Sequence, residues 1–350
     1  MEQFSYYEFF AGGGMARAGL GEDWKCLFAN DFDNKKTASY ERNWGKEDIL
    51  TEDVRKLTAS NLPETADLVW ASFPCQDLSL AGAGAGLEGE RSGVFWPFWS
   101  IISSLNDENR APSLVVLENV CGALTSHDGR DFISICEALR NAGYHFGAIV
   151  ADAIHFVPQS RPRLFFIATK SRTMIPNDLI NNSRDTLWHP PALCSAFNKL
   201  PDECKKKWIW WSLPTPSKRK TVFGDLVEDD PEGVRWHSQE ETNKLLSMMN
   251  ELHIGKVKAA KKAGCKKIGA IYKRTRPDGN GGKIQRAEVR FDDIAGCLRT
   301  PAGGSSRQLI MVVDGEKIRS RLLSPREAAR LMGLSDNYSL PPKYNEAYKL

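Results

Sequence analysis

The chain has 350 residues, 41% of them hydrophobic and 26% charged, with a formal net charge of +3. That length holds one large domain or two around a sizeable core, and so small a charge does not by itself imply nucleic acid. No apolar run reaches membrane-spanning length and no secretory h-region opens the chain, which excludes a spanning protein and predicts a soluble, cytoplasmic one. The eight cysteines include no Cys-x-x-Cys pair and no zinc-type cluster with histidine, so reduced thiols are expected, with neither a disulfide framework nor a metal site.

Residues 5–10 read as a first strand, Ala11-Gly12-Gly13-Gly14 as a tight turn, and Met15 to Leu20 as a helix ended by Gly21. A second strand over 25–30 closes at Asp31, and a helix over 34–43 follows. Asp67 to Ser72 is an apolar run of strand length that delivers Phe73-Pro74-Cys75-Gln76. Pro74 has no N–H and must stop the strand. Ser113 to Leu117 is another buried strand, ending at Glu118-Asn119. A helical pattern over 131–141 and strands over 147–150 and 164–169 complete the series. Strands alternating with helices predict an α/β fold with a doubly wound, mostly parallel sheet.

The texture changes after about residue 170, where prolines multiply and Trp208, Trp210 and Trp211 cluster. Lys205-Lys206-Lys207 and Lys218-Arg219-Lys220 are basic runs. Between 251 and 290, twelve Lys/Arg face three Asp/Glu, so the positive charge is segregated. A second, smaller, irregular domain is expected over 190–308, after a first domain over 1–189 and before a return to that domain over 309–350. Its glycine-rich stretches at 279–282 and 303–304 suit loops that approach a phosphate backbone. Ser324-Pro325-Arg326-Glu327 reads as a capping box opening a helix that stops at Gly333.

Several stretches carry candidate chemistry. The glycine turn joins a strand to a helix, where backbone can approach an anionic ligand. Asp31 stands where nucleotide-binding sheets hold ribose hydroxyls, although Gly-x-Gly-x-x-Gly is not matched. An ordinary tight turn with an unrelated acidic residue is the alternative. Cys75 is presented at the end of a buried strand, where open sheets place their ligands. A small buried cysteine is the plain reading of that residue alone. Glu118 sits at a strand end in or beside the cleft, suited to proton donation, or else it caps a helix. Arg161 and Arg163, alternating around Pro162, can hold carbonyl or phosphate oxygens from one face. Taken singly, either arginine reads as a surface ion-pair partner.

Together and in this order, these stretches resemble the DNA (cytosine-5) methyltransferase family of bacterial type, over the whole chain except its basic middle region. The resemblance implies a Rossmann-like catalytic domain that binds S-adenosyl-L-methionine, with 190–308 as a target-recognition domain. Phe10-Ala11-Gly12-Gly13-Gly14-Met15 is similar to the cofactor motif. Asp31 would lie on the ribose, Phe32 against the adenine, and Asp53-Val54 at the adenine amino group, with Pro74 also at the cofactor. Phe73-Pro74-Cys75-Gln76 with Ser79 resembles the nucleophile motif, Glu90-Arg91-Ser92-Gly93 the loop after it, and Glu118-Asn119-Val120 the catalytic glutamate motif. Gln159-Ser160-Arg161-Pro162-Arg163 resembles the arginine motif, and Arg321 to Leu331 the motif after target recognition. The implied catalytic set is Cys75, Glu118, Arg161 and Arg163. Gln76, Ser79, Arg91, Gln159, Arg299 and Arg307 are the implied DNA contacts.

The resemblance implies methylation of cytosine carbon 5 in a flipped-out base of duplex DNA, by a monomer, with a partner restriction endonuclease. Two departures stand out. Cys297-Leu298 occupies the place of the family's Thr-Leu or Thr-Val pair, and the chain stops at Leu350, before a last family motif that closes the cofactor pocket. The pocket is therefore expected to be open on one side. A tRNA cytosine-5 methyltransferase and a catalytically silent DNA-binding or regulatory protein on the same fold are the alternatives. The large basic insert argues against the first, and the intact Cys75, Glu118 and Arg163 against the second.

Overall fold

The computed structural model describes residues 3–74, 93–170, 175–181, 183–277, 282–299 and 307–350. The chain forms two compact units. The first comprises Met1–Asp152 and Pro162–Thr215, the second Ala153–Arg161 and Pro216–Leu350.

In the first unit the alternation read from the sequence is the architecture. β1 (Phe4–Phe9) leads to α1 (Met15–Leu20), β2 (Trp24–Asp31) to α2 (Asn34–Trp44), and β3 (Ile49–Thr51) on to β4 (Leu68–Ala71). Then come α3 (Phe95–Asp107), β5 (Leu114–Val120), α4 (Arg130–Asn141), β6 (Tyr144–Asp152) and β7 (Pro162–Lys170). Seven strands form one sheet in the order β3-β2-β1-β4-β5-β7-β6. Its β3-to-β5 half is parallel. β7 runs antiparallel to both its neighbours, because only a short connection separates it from β6. α2 starts where the Asp33 side chain accepts the Lys35 N–H. α3 buries Phe95, Phe98, Ile102 and Leu105 against Phe9 and Phe73, in the largest apolar cluster of the unit.

After a short pair, β8 (Ile180–Asn181) with β9 (Trp210–Trp211), and the helices α5 (Pro191–Asn198) and α6 (Asp202–Lys205), the chain is still part of the first unit. The Phe146 N–H donates to the Lys207 carbonyl (3.0 Å), and the Ile209 N–H to the Phe146 carbonyl (2.7 Å). The approach is so close that a Cβ at Gly147 would run into the Ile209 carbonyl. Trp188, Ile209 and Trp211 bury against Ile149. The first compact unit therefore runs on to Thr215.

The second unit, expected to be irregular, is built on an antiparallel sheet. Its elements are α7 (Gln239–Ser247), α8 (Glu251–Lys262), β10 (Lys267–Pro277), β11 (Lys283–Arg290), β12 (Leu309–Asp314), β13 (Lys317–Leu322), α9 (Pro325–Leu331) and α10 (Tyr344–Ala347). The strand order is β11-β10-β12-β13. Leu245, Met249, Val257 and Ala260 of α7, α8 and their junction cover one face. Phe223 with Ala328 and Leu331 of α9 covers the other. β12 is an unbroken apolar run, Leu309–Val313, because it is covered on both faces. From residue 309 the chain belongs to this compact unit, since β12 pairs with β10 and β13 with β12.

The capping box is formed: the Glu327 N–H donates to Ser324 Oγ (3.1 Å), and the Ser324 N–H to Glu327 Oε2 (2.7 Å). Glu327 also holds Arg321 at both oxygens, 2.8 and 2.6 Å, with both side chains fully buried. No described helix is long and apolar enough to cross a membrane.

Candidate active site

The glycine turn is a strained backbone passage. Phe10 has φ 58° and is not glycine, Gly12 has φ 58° and Gly14 φ 81°. Phe10 in the left-handed region costs on the order of 1–2 kcal/mol, and such strain gathers at ligand sites. The turn is tied to β2, where the Gly12 N–H donates to Asp31 Oδ2 (2.9 Å) and the Asp33 N–H to Oδ1 (2.9 Å). Trp44 Nε1 donates to the Gly13 carbonyl (3.2 Å), and a Cβ at Gly14 would meet that indole.

In front of the turn lies a cleft of about 560 Å³ at the carboxyl ends of the parallel strands. Of the residues assigned to the cofactor from sequence, Phe10, Asp31, Phe32, Asp53, Val54 and Pro74 line it. Ala11, Gly12, Gly13, Gly14 and Met15 shape the turn rather than the wall. Phe32 is 67% exposed, an aromatic face presented to solvent at the rim of the cleft. Asp53 is clamped by Arg55, whose N–H and Nε donate to Oδ1 at 2.9 and 3.0 Å. The guanidinium holds the Asp53 carboxyl below the usual carboxylate range. A nucleoside-sized ligand fits this donor set: a free aromatic face for a purine, two carboxylates for hydroxyl and amino groups, and a volume within the range of small-molecule sites.

One strand over, Glu118 and Arg163 form a pair. The antiparallel register sets Val120 opposite Arg163 and Glu118 opposite Phe165, so the two side chains meet on the diagonal. Arg163 Nε lies 3.0 Å from Glu118 Oε1, with side-chain exposures of 17% and 23%. Arg163 Nη1 also donates to the Pro162 carbonyl (2.9 Å). Glu118 stands inside β5, which runs on to Val120, so the carboxylate is carried by a strand rather than by the loop after it. Beside the pair, burial pushes the Cys121 thiol up, against the opposing pull of Arg163.

Cys75, Gln76, Ser79 and Arg91 lie outside the described residues. Cys75 follows Pro74, a cleft residue, in the chain. In the second unit, Gln159 is fully buried. Its Nε2 donates to the Leu331 carbonyl (2.7 Å), and its Oε1 accepts the Leu298 N–H (3.2 Å). Expected at the DNA, that side chain is a brace between α9 and the 295–298 segment. Arg161 Nη1 contacts Cys297 Sγ at 3.4 Å, so this cysteine packs against the arginine motif. Arg299 is exposed. Arg307 lies over the Tyr344 ring and donates to Asn345 Oδ1 (3.1 Å).

Residues 4–350 match the family described as C-5 cytosine-specific DNA methylase. The chain belongs to this family. It is a DNA (cytosine-5) methyltransferase, and the family implies S-adenosylmethionine as methyl donor. It is 28% identical over 371 residues to the Type II methyltransferase M.HpaII of Haemophilus parainfluenzae, covering 99% of this chain and 84% of that one. It is 24% identical over 349 residues to M.HhaI of Haemophilus parahaemolyticus, with coverages of 98% and 88%. Among solved structures, the S. pombe Dnmt2 methyltransferase shares the fold with a TM-score of 0.61 at 16% identity, over 99% of this chain and 92% of that one.

Sequence reasoning missed part of this methyltransferase's site. Asn30, Lys36, Arg55 and Ser72 also line the cleft. Arg55 follows Asp53 by two residues, a spacing that could have flagged it. Trp44 and Lys36 come from α2, whose approach to the turn has no local signal. The Glu118–Arg163 contact depends on β7 lying antiparallel beside β5, which no motif states.

Proposed function

We propose that the chain transfers a methyl group from S-adenosylmethionine to carbon 5 of a cytosine flipped out of double-stranded DNA at a short site, through a covalent adduct of Cys75 at carbon 6. The observation that carries this reading is the Glu118–Arg163 pair, whose carboxylate is on β5, the strand beside β4. Phe73-Pro74-Cys75 follows β4, and Pro74 is part of the cleft.

Phe10, Asp31, Phe32, Asp53, Val54 and Pro74 would hold the cofactor. When bound, S-adenosylmethionine supplies an electrophilic methyl group. The Cys75 thiolate forms a bond to carbon 6, and the electron pair of the ring's 5,6 double bond moves towards carbon 5. Glu118 hydrogen-bonds or protonates ring nitrogen 3, so negative charge does not accumulate on the ring. Arg163 orients the Glu118 carboxylate through Nε and, with Arg161, is assigned the ring carbonyl oxygen. After methylation, water removes the proton on carbon 5 and Cys75 leaves as thiolate. The base has to leave the stack for a thiolate to reach carbon 6.

Target recognition is assigned to 190–308, with Arg299 and Arg307 among its DNA contacts, and Gln76, Ser79 and Arg91 at the flipped base. The names of the similar Type II methyltransferases support a role in restriction–modification, and the proposal includes a partner endonuclease and a cytoplasmic monomer. The test is trapping on a duplex in which 5-fluorocytosine replaces cytosine. The chain with S-adenosylmethionine should form a denaturation-resistant adduct with duplex DNA and none with tRNA, and Cys75→Ser should form none at all. An adduct with the serine variant would remove Cys75 as nucleophile, and adducts on tRNA alone would replace the substrate.

A further inference from the structure

β10 and β11 pair along eight positions, from Ala270–Arg290 to Pro277–Lys283, but β12 supports β10 only as far as Ile271. From Tyr272 onward the two strands are therefore, among the described residues, a two-stranded ribbon. Arg274, Thr275, Arg276 and Pro277 on β10, and Lys283, Ile284 and Gln285 on β11, are exposed.

Alternation along the strands puts Tyr272, Arg274 and Arg276 on one face, opposite Glu288, Arg286 and Ile284 in register. Arg274 directly faces Arg286. Like charges in that position destabilise a ribbon, and Glu288 pairs with only two of the three guanidiniums on this face. Glu288 Oε1 takes Arg276 through Nε (2.7 Å) and Nη2 (2.6 Å), and Oε2 takes Arg274 through Nε alone (3.4 Å). Arg276 is thus clamped, while Arg274 keeps both terminal nitrogens for a bidentate acceptor. Arg286 has no carboxylate partner among the described residues. The Arg274 guanidinium also lies 5.7 Å from the Tyr272 ring centroid, which holds it to this face.

The same face carries the segment that braces the arginine motif. The Gly296 N–H donates to the Tyr272 hydroxyl, Ala295 accepts from the Ser160 N–H (2.9 Å), and Cys297 touches Arg161. The opposite face of β10 and β11 turns Ile271, Ala287 and Val289 into the cluster under α7 and α8. Beyond Tyr272 the arginine face is exposed at Arg274 and Arg276.

We infer that this ribbon is the base-reading element: Arg274 and Arg286 enter the major groove and each reads the O6 and N7 acceptors of a guanine, with Glu288 as a positioning residue. A two-stranded ribbon fits the major groove, and a bidentate arginine is the commonest guanine contact there. The inference rests on the proposed reading of the chain as acting on duplex DNA, and it adds the element, the residues and the base.

The experiment starts from a duplex pool randomised around one cytosine, which defines the methylated site. Each guanine of that site is then replaced singly by 7-deazaguanine, which lacks the N7 acceptor. The parent chain should lose roughly 5- to 150-fold in single-turnover rate at the two guanines read. Arg274→Ala and Arg286→Ala should each become indifferent to 7-deazaguanine at one position, keeping an unchanged salt slope. Glu288→Gln should broaden base preference at the Arg274 position at an unchanged melting temperature, and Glu288→Asp should restore it. The inference is overturned if either alanine variant slows all sequences equally while the salt slope falls by about one, the mark of a phosphate contact. It is equally overturned if site preference does not change. A parent chain that methylates nothing in the pool sinks the duplex-DNA reading itself, and the inference falls with it.

Discussion

Arg163 Nε lies 3.0 Å from Glu118 Oε1, across the antiparallel pair of β5 and β7. Two motifs separated by 45 positions in the sequence are thereby one unit, and neither side chain should be replaceable alone. Removing Arg163 leaves a half-buried carboxylate without its charged donor, at a cost of about 1–3 kcal/mol. Arg163→Ala and Glu118→Gln should each lower single-turnover methyl transfer by roughly 10²–10⁴-fold. The double variant should be no slower than the worse single one. Fully additive losses would mean that the two residues act independently.

Phe32 offers its ring to the cleft, and base–aromatic stacking contributes about 1–3 kcal/mol. Phe32→Ala should therefore weaken S-adenosylmethionine binding by about one to two orders of magnitude, with little change in melting temperature, because the ring is exposed. Titration calorimetry reads the affinity. Unchanged binding in Phe32→Ala would move the adenosine to another wall.

How much of this was legible in the sequence differs between the two units. β1, α1, β2 and α2 could be read almost to the residue, because an apolar run and a glycine turn are local signals. The cleft wall at Phe10, Asp31 and Phe32 followed from them. α3 could not be placed from its neighbours, and the antiparallel sheet of the second unit was hidden because β10 and β11 carry charges where a buried strand would carry apolar residues. The surroundings of Gln159 are hidden in the sequence for a related reason. A glutamine in a motif looks like a ligand contact until its three partners, distant in sequence, are seen around it.

Glu8 lies in β1 under the glycine turn, 2% exposed, with Oε2 lacking a hydrogen-bond partner. Burial pushes its carboxyl up to about 8, against the opposing pull of Arg17. The folded state thus binds the Glu8 proton more tightly than the unfolded chain. Its contribution is fully present below pH 4.5, the ordinary value, and is lost as pH rises to about 8. Glu8→Gln should remove that slope, so its melting temperature relative to the parent should rise between pH 5 and pH 9. Parallel curves would place the proton elsewhere.

Arg321 and Glu327 are both fully buried and joined at two points. Glu327→Ala should destabilise the chain by about 3–5 kcal/mol, because the guanidinium stays behind uncompensated, while Arg321→Met with Glu327→Leu should cost far less. Denaturant unfolding of the three variants tests this. A double variant as unstable as the single one would show that capping of α9, rather than the ion pair, holds the segment.

Gly147 admits the 207–211 segment against β6, the last strand of the seven-stranded sheet, and the first strand, β3, is only three residues long. An uncovered outer strand is a template on which another chain can add a strand of its own. Here one margin is too short to serve and the other is occupied by the chain's own backbone at Phe146. A single missing Cβ therefore bears on colloidal behaviour as well as on packing. A side chain at 147 would lift the strap, bare the β6 backbone, and turn a sheet that ends within its own molecule into one that can continue into the next.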